Sequence, residues 1–429
     1  MNGAKRATEL PRAAGRNRWA GTVLTVLIPA AGLVSESTAL AQAGAYSAIN
    51  LGLPPGATSA VGVRMNNAGD VAGWSAFPGS PGLKGWTWTQ PGGFTVLPTP
   101  PGLSRYRAMD ISDTSIVAGD GGFDSGQAWR LENGVYTILP PVDGQPISYL
   151  GRINDAGDIA GTATDTNIAT PDRAFLAVNG AALLNLTPAG AGRATDLNNA
   201  GQVVGYTITS VFSAFRWDAT GGLQTLGTLG TLAHSFANAM NDSGTVVGEA
   251  LSATANTSIP FVFTDASGMQ PIPAPTSQSS AASGINSQGH VVGTTKLTGP
   301  DLAWLWIGGP GVTDLNDLLP GPLVGAINLL AAHDINDAGQ ILAFGFDNQA
   351  GDFRTVLLTP VPTLYADIDG NGVVDLADHR ILTDCMTGPR RLIRPLGCSA
   401  TDFSAADLDG NGHVDTLDAG LFGAAFVGP

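Results

Sequence analysis

One phrase recurs seven times along this chain, and this repeat limits its possible folds more than any other feature. Each copy places two small or apolar residues after a polar turn, as in VRMNNAGDVAG, GRINDAGDIAG and TDLNNAGQVVG. The turn position falls at Gly69, Ser115, Gly157, Gly201, Gly244, Gly289 and Gly339, so the copies lie 42 to 50 residues apart. Because a fixed period of this length is typical of repeat architectures, the chain is predicted to be an array of similar units.

Each unit contains four short segments with the features of strands. The recurring phrase reads as strand, turn and strand, because Asn can bond the local backbone and Gly can adopt the positive φ of a tight hairpin. An aromatic strand follows, as in KGWTWT and SAFRWD, and a fourth strand ends the unit, as in GFTVLPTPPG. Four strands in about 45 residues are typical of a β-propeller blade. The 58 glycines and 28 prolines also favour strands and turns over helices.

The two ends of the array predict a closed ring. The seventh unit stops after its third strand, DFRTVLLTP, and the missing fourth segment appears near the N-terminus as YSAINLGLPPG, residues 46–56. A ring in which the N-terminal strand completes the last blade leaves no unpaired sheet edge. We therefore predict an all-β fold, a seven-bladed β-propeller over residues 44–361. A β-solenoid or a pair of β-sandwiches is the alternative.

The repeats resemble the HAF-type extracellular repeats of bacteria. The resemblance rests on the phrase A-x-x-I-N-x-x-G-x-V-V-G followed by an aromatic strand and LGTLG; it covers about residues 46–360 and is clearest over 195–230. The His-Ala-Phe triplet that names the family is replaced here, for example by Arg173-Ala174-Phe175. The resemblance implies an extracellular location and this fold, and it implies no particular activity.

The N-terminus has the order of segments of a secretory signal peptide. The basic residues Lys5, Arg6, Arg12, Arg16 and Arg18 precede an apolar run over about 20–34 and then small residues. We predict a signal peptide over residues 1–43, cleavage after Ala41 or Ala43, and export to the outside or to the cell surface. A membrane anchor is the alternative, but the run is shorter than the ~20 residues that cross a bilayer, and Pro29 interrupts it. No span of the membrane is predicted after cleavage.

The mature chain is predicted to be acidic and to contain one disulfide. The formal charge is −15, and loss of residues 1–43, with five basic and two acidic side chains, changes it to −18. This charge disfavours nucleic acid and anionic membranes as partners, because binding to either depends on basic patches. Cys385 and Cys398 are the two cysteines, and we predict that they pair in an oxidising compartment.

Two acidic stretches near the C-terminus share one spacing. DIDGNGVVDLAD (367–378) and DLDGNGHVDTLD (407–418) place oxygen-bearing side chains at positions 1, 3, 5, 9 and 12. Together with the carbonyl of position 7, this is the ligand pattern of an EF-hand-type loop, so we predict two Ca²⁺ ions as cofactors. The predicted ligands are Asp367, Asp369, Asn371, the Val373 carbonyl, Asp375 and Asp378 in the first loop, and Asp407, Asp409, Asn411, the His413 carbonyl, Asp415 and Asp418 in the second.

These loops and their surroundings, residues 363–429, resemble a type I dockerin module. A helical pattern follows each loop, in LADHRILTDCM and LDAGLFGAAF, and none is evident before either loop. The resemblance implies a small α-helical module over 362–429 that attaches to a cohesin-like or other extracellular protein. Loop positions 10 and 11 would make the contact, and they are Leu376, Ala377, Thr416 and Leu417. These residues and the long segment between the loops depart from the dockerin pattern, so calcium that merely stabilises the tail is the alternative.

The repeats contain no catalytic motif such as a nucleophile elbow or a metalloprotease helix. Glycoside hydrolysis needs two facing carboxyl groups, and the mature chain has two glutamates, Glu132 and Glu249. Glu249 occupies a position that varies among the repeats and is a weak ligand candidate. We predict that the third-strand residues Trp88, Trp129, Trp217 and Trp306 pack between blades. Trp74 and Trp86 lie outside that pattern and are further weak candidates.

We therefore expect a secreted, non-catalytic binding or scaffold protein whose propeller is a platform for a protein or a polysaccharide. One alternative is a polysaccharide-degrading enzyme, a hydrolase or lyase delivered by its dockerin, which predicts clustered Asp or Glu at the centre of the propeller. The other is a structural surface protein, which predicts a featureless channel mouth.

Overall fold

The computed structural model describes residues 46–79, 82–121, 127–164, 171–179, 183–253, 257–275, 279–297, 299–320 and 323–360, and in the tail 368–369, 374, 376–387, 394–395, 397–408, 413–416, 418–419 and 422. The chain divides into two units, Met1–Glu36 and Ser37–Pro429, and every described residue belongs to the second. The predicted signal peptide, residues 1–43, lies outside the described residues. Among the helices of the described residues, none is long and apolar enough to cross a membrane.

Seven four-stranded antiparallel sheets form a seven-bladed β-propeller, as the repeat predicts. Blades 1 to 3 consist of β2 (Ser59–Met65), β3 (Val71–Ala76), β4 (Leu83–Thr89) and β5 (Gly93–Val96); β6 (Arg107–Ile111), β7 (Val117–Asp120), β8 (Ala128–Glu132) and β9 (Val135–Ile138); and β10 (Ile147–Ile153), β11 (Ile159–Ala163), β12 (Arg173–Ala177) and β13 (Leu183–Asn185). Blades 4 and 5 consist of β14 (Ala191–Leu197), β15 (Val203–Ile208), β16 (Phe212–Asp218) and β17 (Gly222–Gly227); and β18 (His234–Met240), β19 (Val246–Leu251), β20 (Ser258–Thr264) and β21 (Gly268–Pro271). Blade 6 consists of β22 (Ser280–Ile285), β23 (Val291–Thr295), β24 (Leu302–Trp306) and β25 (Thr313–Asp314), with a 3-10 helix at Leu315–Leu318. Blade 7 consists of β26 (Ile327–Ile335), β27 (Ile341–Asp347), β28 (Asp352–Pro360) and the N-terminal β1 (Tyr46–Asn50).

The N-terminal strand closes the ring. β1 pairs antiparallel with β28, from Tyr46 opposite Pro360 to Asn50 opposite Val356. Tyr46 is buried, and burial raises its pKa to about 12. The first strands of neighbouring blades contact one another, including β26 of the last blade and β2 of the first. The predicted ring closed by the N-terminal strand is therefore confirmed, and the solenoid and sandwich alternatives are wrong.

The core of each blade pairs a small residue with a larger one across the second and third strands. In blades 1 to 6 the small residue is a glycine, as Gly293 opposite Trp304. A Cβ atom on Gly293 would lie 2.2 Å from Trp304 Cζ2, so the ring occupies the space that a side chain would need. The six rings are Trp86, Trp129, Phe175, Phe215, Phe261 and Trp304, all buried. Blade 7 has Ala343 opposite Val356. The methyl group of Ala343 is accommodated there because Val356 is smaller than the aromatic rings of the other blades.

This register corrects two assignments made from the sequence. Trp86 shares the core position of Trp129 and Trp304 and has no exposed surface, so its prediction as a ligand candidate is wrong. Trp88 instead shares its position with Trp217, opposite a valine of the second strand. The two aromatic positions are two residues apart, so their side chains point to the same face of the sheet. The sequence pattern alone does not separate them, and it placed Trp129 with Trp88 instead of with Trp86.

The described part of the tail contains two short helices with defined bounds, α1 (Leu376–Cys385) and α2 (Ala400–Ala406), and the described residues Thr416, Asp418, Ala419 and Phe422 after the second loop are also helical, as predicted. α1 follows the first acidic loop, as predicted. α2 precedes the second loop, where no helix is predicted, because a seven-residue helix is too short to show apolar periodicity. Its start is fixed by Ser399, whose hydroxyl accepts a hydrogen bond from the Asp402 N–H at 3.0 Å. A disulfide between Cys385 and Cys398 joins the end of α1 to the start of α2, which confirms the predicted pairing.

Candidate functional site

One repeat position of the channel-lining first strands brings charges together at the centre of the ring. From blade 1 to blade 7 it is occupied by Arg64, Asp110, Arg152, Asp196, Ala239, Gly284 and Asp334. We call the five charged residues the central cluster. Arg152 lies 2.9 Å from Asp196, 3.5 Å from Asp110 and 3.4 Å from Asp334, measured from guanidinium nitrogen to carboxylate oxygen. One guanidinium of blade 3 therefore binds carboxylates from blades 2, 4 and 7.

The three carboxylates of the central cluster also join neighbouring blades through the backbone. Each accepts a hydrogen bond from an N–H of the following blade: Asp110 from Ile153 at 2.8 Å, Asp196 from Met240 at 2.7 Å and Asp334 from Met65 at 3.1 Å. Each also accepts from the N–H of the next residue in its own strand. These aspartates are therefore bound within the ring on both sides.

Burial and pairing act in opposite directions on the pKa values of the central cluster. Burial raises the pKa of Asp110 to about 6, although Arg152 opposes the change, and burial raises the pKa of Asp196 as well. For Arg152, burial lowers the pKa, but the three neighbouring carboxylates outweigh it and the pKa is raised. Arg152 therefore stays charged at any ordinary pH, whereas Asp110 takes up a proton under mildly acidic conditions.

One end of the channel is formed by the turns between first and second strands, and we call it the turn-side mouth. A ring of amide hydrogen bonds surrounds it. At the first turn position an Asn Nδ2 donates to the backbone carbonyl of the same position in the next blade. The bonds run from Asn66 to Ser112 (3.2 Å), Asn154 to Asn198 (3.3 Å), Asn198 to Asn241 (3.2 Å), Asn241 to Asn286 (3.0 Å), Asn286 to Asn336 (3.1 Å) and Asn336 to Asn66 (3.1 Å). Among the described residues the ring has one gap, where Ser112 replaces the amide.

The next turn position forms a second ring at the same mouth. Its side-chain oxygen accepts a hydrogen bond from the backbone N–H of the preceding blade. Such bonds reach Asp113 from Asn67 (2.7 Å), Asp155 from Asp113 (2.8 Å), Asn199 from Asp155 (3.0 Å), Asp242 from Asn199 (2.9 Å), Asp337 from Ser287 (2.8 Å) and Asn67 from Asp337 (2.9 Å). The cavity of about 160 Å³ at this mouth is lined by Arg152 and seven aspartates, and these aspartates are used to join blades.

The opposite end, formed where the first strands begin, has a larger cavity of about 420 Å³ and different chemistry. We call it the strand-start mouth. Its polar lining consists of Arg64, Tyr149, Thr162, Arg193, Thr195, Tyr206, Asn238, Ser283 and Thr294. Within the described chain, no acidic side chain lines it. The central cluster therefore separates an acidic mouth from a mouth that contains arginine, tyrosine and hydroxyl groups.

The residues at the strand-start mouth come from repeat positions that change from blade to blade. On the first strand the position is Val61, Arg107, Tyr149, Arg193, Phe236, Ala281 or Ala331, and the residue paired with it on the second strand is Trp74, Asp120, Thr162, Tyr206, Glu249, Thr294 or Phe344. The predicted candidates Trp74 and Glu249 belong to this set, and neither lines the cavity. Burial raises the pKa of Glu249, although the Ser258 hydroxyl opposes the change.

Contacts around the cavity hold its polar groups in place. The Arg193 Nε donates to Asp172 at 2.6 Å, and the guanidinium carbon lies 5.3 Å from the centre of the Tyr149 ring. The Tyr206 ring packs edge-on against Phe236, with 4.8 Å between ring centres. The cavity wall therefore presents an arginine held by Asp172 over the Tyr149 ring, and a second aromatic ring, that of Tyr206, held by Phe236.

The two acidic loops of the tail are arranged alike where they are described. The Asp378 carboxylate accepts hydrogen bonds from the N–H groups of Ile368 (2.6 Å) and Asp369 (2.9 Å). In the second loop Asp418 accepts from Leu408 (2.7 Å) and Asp415 (2.8 Å). Both carboxylates are completely buried. The last residue of each loop therefore folds back onto its first turn, as one ion bound from both ends of the loop requires.

The donor set of the loops fits calcium as far as it is described. Asp407 and Asp415 are partly buried and Asp369 is exposed, and all three offer the hard oxygen atoms that Ca²⁺ binds. The predicted ligands Asp367, Asn371, Val373, Asp375, Asp409 and Asn411, and the predicted contact residue Leu417, lie outside the described residues. The contact residues Leu376, Ala377 and Thr416 are exposed, Leu376 to 66%.

No protein-family profile matches this sequence, and no curated protein sequence matches it. Its fold is similar to those of solved propellers. A streptogramin B lyase structure is 14% identical with a TM-score of 0.47, over 73% of this chain and 97% of the other. The β-propeller domain of the Trilobed protease from Pyrococcus furiosus is 9% identical with a TM-score of 0.48, over 70% and 94%. Virginiamycin B lyase from Staphylococcus aureus is 13% identical with a TM-score of 0.46, over 73% and 98%. These similarities concern the fold alone.

Proposed function

We propose that this protein is an exported, non-catalytic binding protein whose propeller binds an extracellular ligand, such as a polysaccharide, at the strand-start mouth. A β-propeller is suited to act as a binding or scaffold platform. The observation that carries the proposal is the cavity of about 420 Å³ at which residues differing from blade to blade meet. Cavities of this size with a few fixed polar groups are typical of small-ligand sites. The featureless mouth that a purely structural role predicts is not what this end of the channel presents.

Export is the part of the proposal that rests on the sequence. The order of segments in residues 1–43 and the resemblance to HAF-type repeats both support it. The disulfide between Cys385 and Cys398 is of a kind that persists outside the cytosol.

The tail is proposed to attach the propeller to a cohesin-like or other extracellular protein when two Ca²⁺ ions are bound. The matching arrangement of Asp378 and Asp418 supports the two sites, and the exposure of Leu376, Ala377 and Thr416 supports a contact there. Calorimetry of the chelator-treated protein is expected to show two calcium sites. Asp378→Asn and Asp418→Asn should each remove one site, and calcium binding that neither change affects would refute the assignment.

A polysaccharide-acting enzyme is the second candidate, and the channel centre favours it. Asp110, Asp196 and Asp334 are the clustered carboxyl groups that this alternative predicts, and a pKa of about 6 suits Asp110 to donate a proton. All three, however, bind backbone N–H groups of the next blade and surround Arg152. Their observed contacts therefore hold the ring together, which is why binding is the preferred proposal.

The experiment that tests the proposal uses the mature protein, residues 44–429, with calcium on a panel of immobilised polysaccharides. Retained protein and released reducing sugar are both measured. We expect retention on at least one polymer without release of sugar. Release that Asp110→Asn abolishes would replace the proposal with the enzyme, and absence of both retention and release would refute a polysaccharide ligand.

A further inference from the structure

We infer that the strand-start mouth binds a saccharide that carries a carboxylate, such as a uronic acid unit. This inference rests on the proposed function and names the ligand class of the same cavity. The chain has 20 basic residues against 35 acidic ones, yet two arginines, Arg64 and Arg193, line this cavity. The acidic lining is confined to the turn-side mouth, at the other end of the channel. The charged side chains that line this cavity are therefore both positive, whereas the protein as a whole is negative.

Arg64 places a buried guanidinium at the wall of this cavity. Its Nη1 donates to the carbonyl oxygens of Val63 at 2.9 Å and His333 at 3.4 Å, and its buried Nε lacks a hydrogen-bond acceptor. In the part of the chain that the structure describes, no carboxylate lies within ion-pair distance of it. Burial and the neighbouring Arg152 lower its pKa, and the carboxylates of the central cluster oppose this change only in part, so the pKa is lowered on balance. An anion that enters the cavity would complete the compensation of the buried charge by pairing with Arg64.

Arg193 is the second cation of the cavity, and its guanidinium is held in one orientation. Asp172 binds its Nε, and the guanidinium lies over Tyr149, so the group is oriented before a ligand arrives. A planar, fixed guanidinium matches the geometry of a carboxylate better than that of a spherical ion. The two arginines therefore favour a carboxylate as the anionic group.

The remaining lining favours a sugar as the carrier of the carboxylate. The rings of Tyr149 and Tyr206 line the cavity, and an aromatic face suits the C–H face of a pyranose. Hydroxyl and amide groups surround them, and Asn238 is fixed by a bond from its Nδ2 to the Ala282 carbonyl at 2.9 Å. A ligand with several hydroxyl groups would find donors and acceptors here, which a simple carboxylic acid would not use.

The test is calorimetry of the mature protein with oligosaccharides of defined charge. The probes are oligomers of galacturonate, glucuronate and mannuronate, the neutral oligomers of galactose, glucose and mannose, and dextran sulfate. We expect at least one carboxylated oligomer to bind at least tenfold more tightly than its neutral counterpart, with an affinity that falls as salt is added. Equal binding of the neutral oligomer, or binding of the sulfated polymer alone, would overturn the inference and leave the proposed function standing. If no probe binds and no polymer of the wider panel retains the protein, both fail.

Three variants connect the result to the cavity. Arg193→Gln is the main one, because its side chain is 36% exposed and the change should leave the fold intact. We expect it to weaken binding of the carboxylated oligomer tenfold or more without changing binding of the neutral one, and Arg64→Gln should act in the same direction. Arg105→Gln removes the same charge from an exposed position between β5 and β6 and is the matched control. Equal losses in Arg193→Gln and Arg105→Gln, at unchanged melting temperatures, would show a long-range charge effect and contradict the site.

Discussion

The two mouths of the channel are built from the same seven strands but from different kinds of repeat position. The turn-side mouth uses positions where most repeats keep Asn or Asp, and these side chains bond a neighbouring blade. The strand-start mouth uses positions where one blade has Arg193, another Tyr149 and another Ala281. In this chain the repeated polar residues hold the ring closed, whereas the variable ones form a cavity. The acidity of one mouth is therefore structural, and the composition of the other is available for a ligand.

Removal of Arg152 should produce the largest effect on this comparison. Arg152→Met leaves three buried carboxylates without their common counter-charge, and we expect a loss of about 3–5 kcal/mol in the free energy of unfolding. Urea denaturation measures this change. Arg105→Met, on the surface, is the control and should change stability by less than about 0.5 kcal/mol. A similar small change for Arg152→Met would mean that the central cluster does not hold the blades together.

The pH dependence of stability should report the same cluster. The pKa of Asp110 is about 6 in the folded protein against an ordinary value of 3.8, so between these values the folded state binds a proton that the unfolded state lacks. Its contribution is therefore complete below pH 3.8 and is lost as the pH rises through about 6. We expect a gain of about 1 kcal/mol between pH 7 and pH 5 from this group.

The control for the pH prediction is Asp110→Asn, which should flatten the profile over this range. The acidic loops of the tail need ionised carboxylates to bind calcium, so the comparison is best made in chelator. A wild-type stability that falls steadily from pH 7 to pH 5 under these conditions would contradict the assignment.

Loss of one amide at the turn-side mouth should destabilise the protein less than loss of Arg152. Asn336→Ala removes the bond to the Asn66 carbonyl that joins the last blade to the first, and we expect a loss of about 1–3 kcal/mol. Retention of the folded protein on a polysaccharide should not change. A variant that keeps its stability and loses retention would reverse the roles given to the two mouths.

Repair of the gap in the amide ring should have the smallest effect, and in the opposite direction. Ser112→Asn provides an Nδ2 that can donate to the Asn154 carbonyl, as the equivalent residues do in the other blades. We expect a gain of about 0.5–1.5 kcal/mol, measured by urea denaturation. Ser287→Ala, at the second turn position of blade 6, is the control serine change and completes no bond. No gain would mean that blade 2 differs from the others in more than its side chain.

The repeat made the fold predictable because period and missing segment are both visible in the letters. The seven copies of the repeat gave the number of blades, and the displaced YSAIN segment identified the closing strand. The register of the aromatic strand was not predictable in the same way, since positions 86 and 88 both hold tryptophan and differ only in the residue opposite.

The central cluster was missed although its signal is present in the sequence. The residue two places before the turn Asn or Ser is R, D, R, D, A, G and D from blade 1 to blade 7. This series predicts a charge cluster only once the seven strands are known to surround one channel. The cavity at the strand-start mouth gave no such signal, because Tyr149, Arg193 and Tyr206 belong to different blades and no motif connects them.

The central claim is that one mouth binds and the other holds the ring, and the most direct test is the retention of two variants on the polysaccharide that retains the wild type. Tyr149→Ala changes the strand-start mouth, and Asn67→Ala changes the turn-side mouth by removing the side-chain bond to Asp113. We predict that Tyr149→Ala loses retention at least tenfold, whereas folded Asn67→Ala is retained like the wild type. Loss of retention in Asn67→Ala with full retention of Tyr149→Ala would contradict the account.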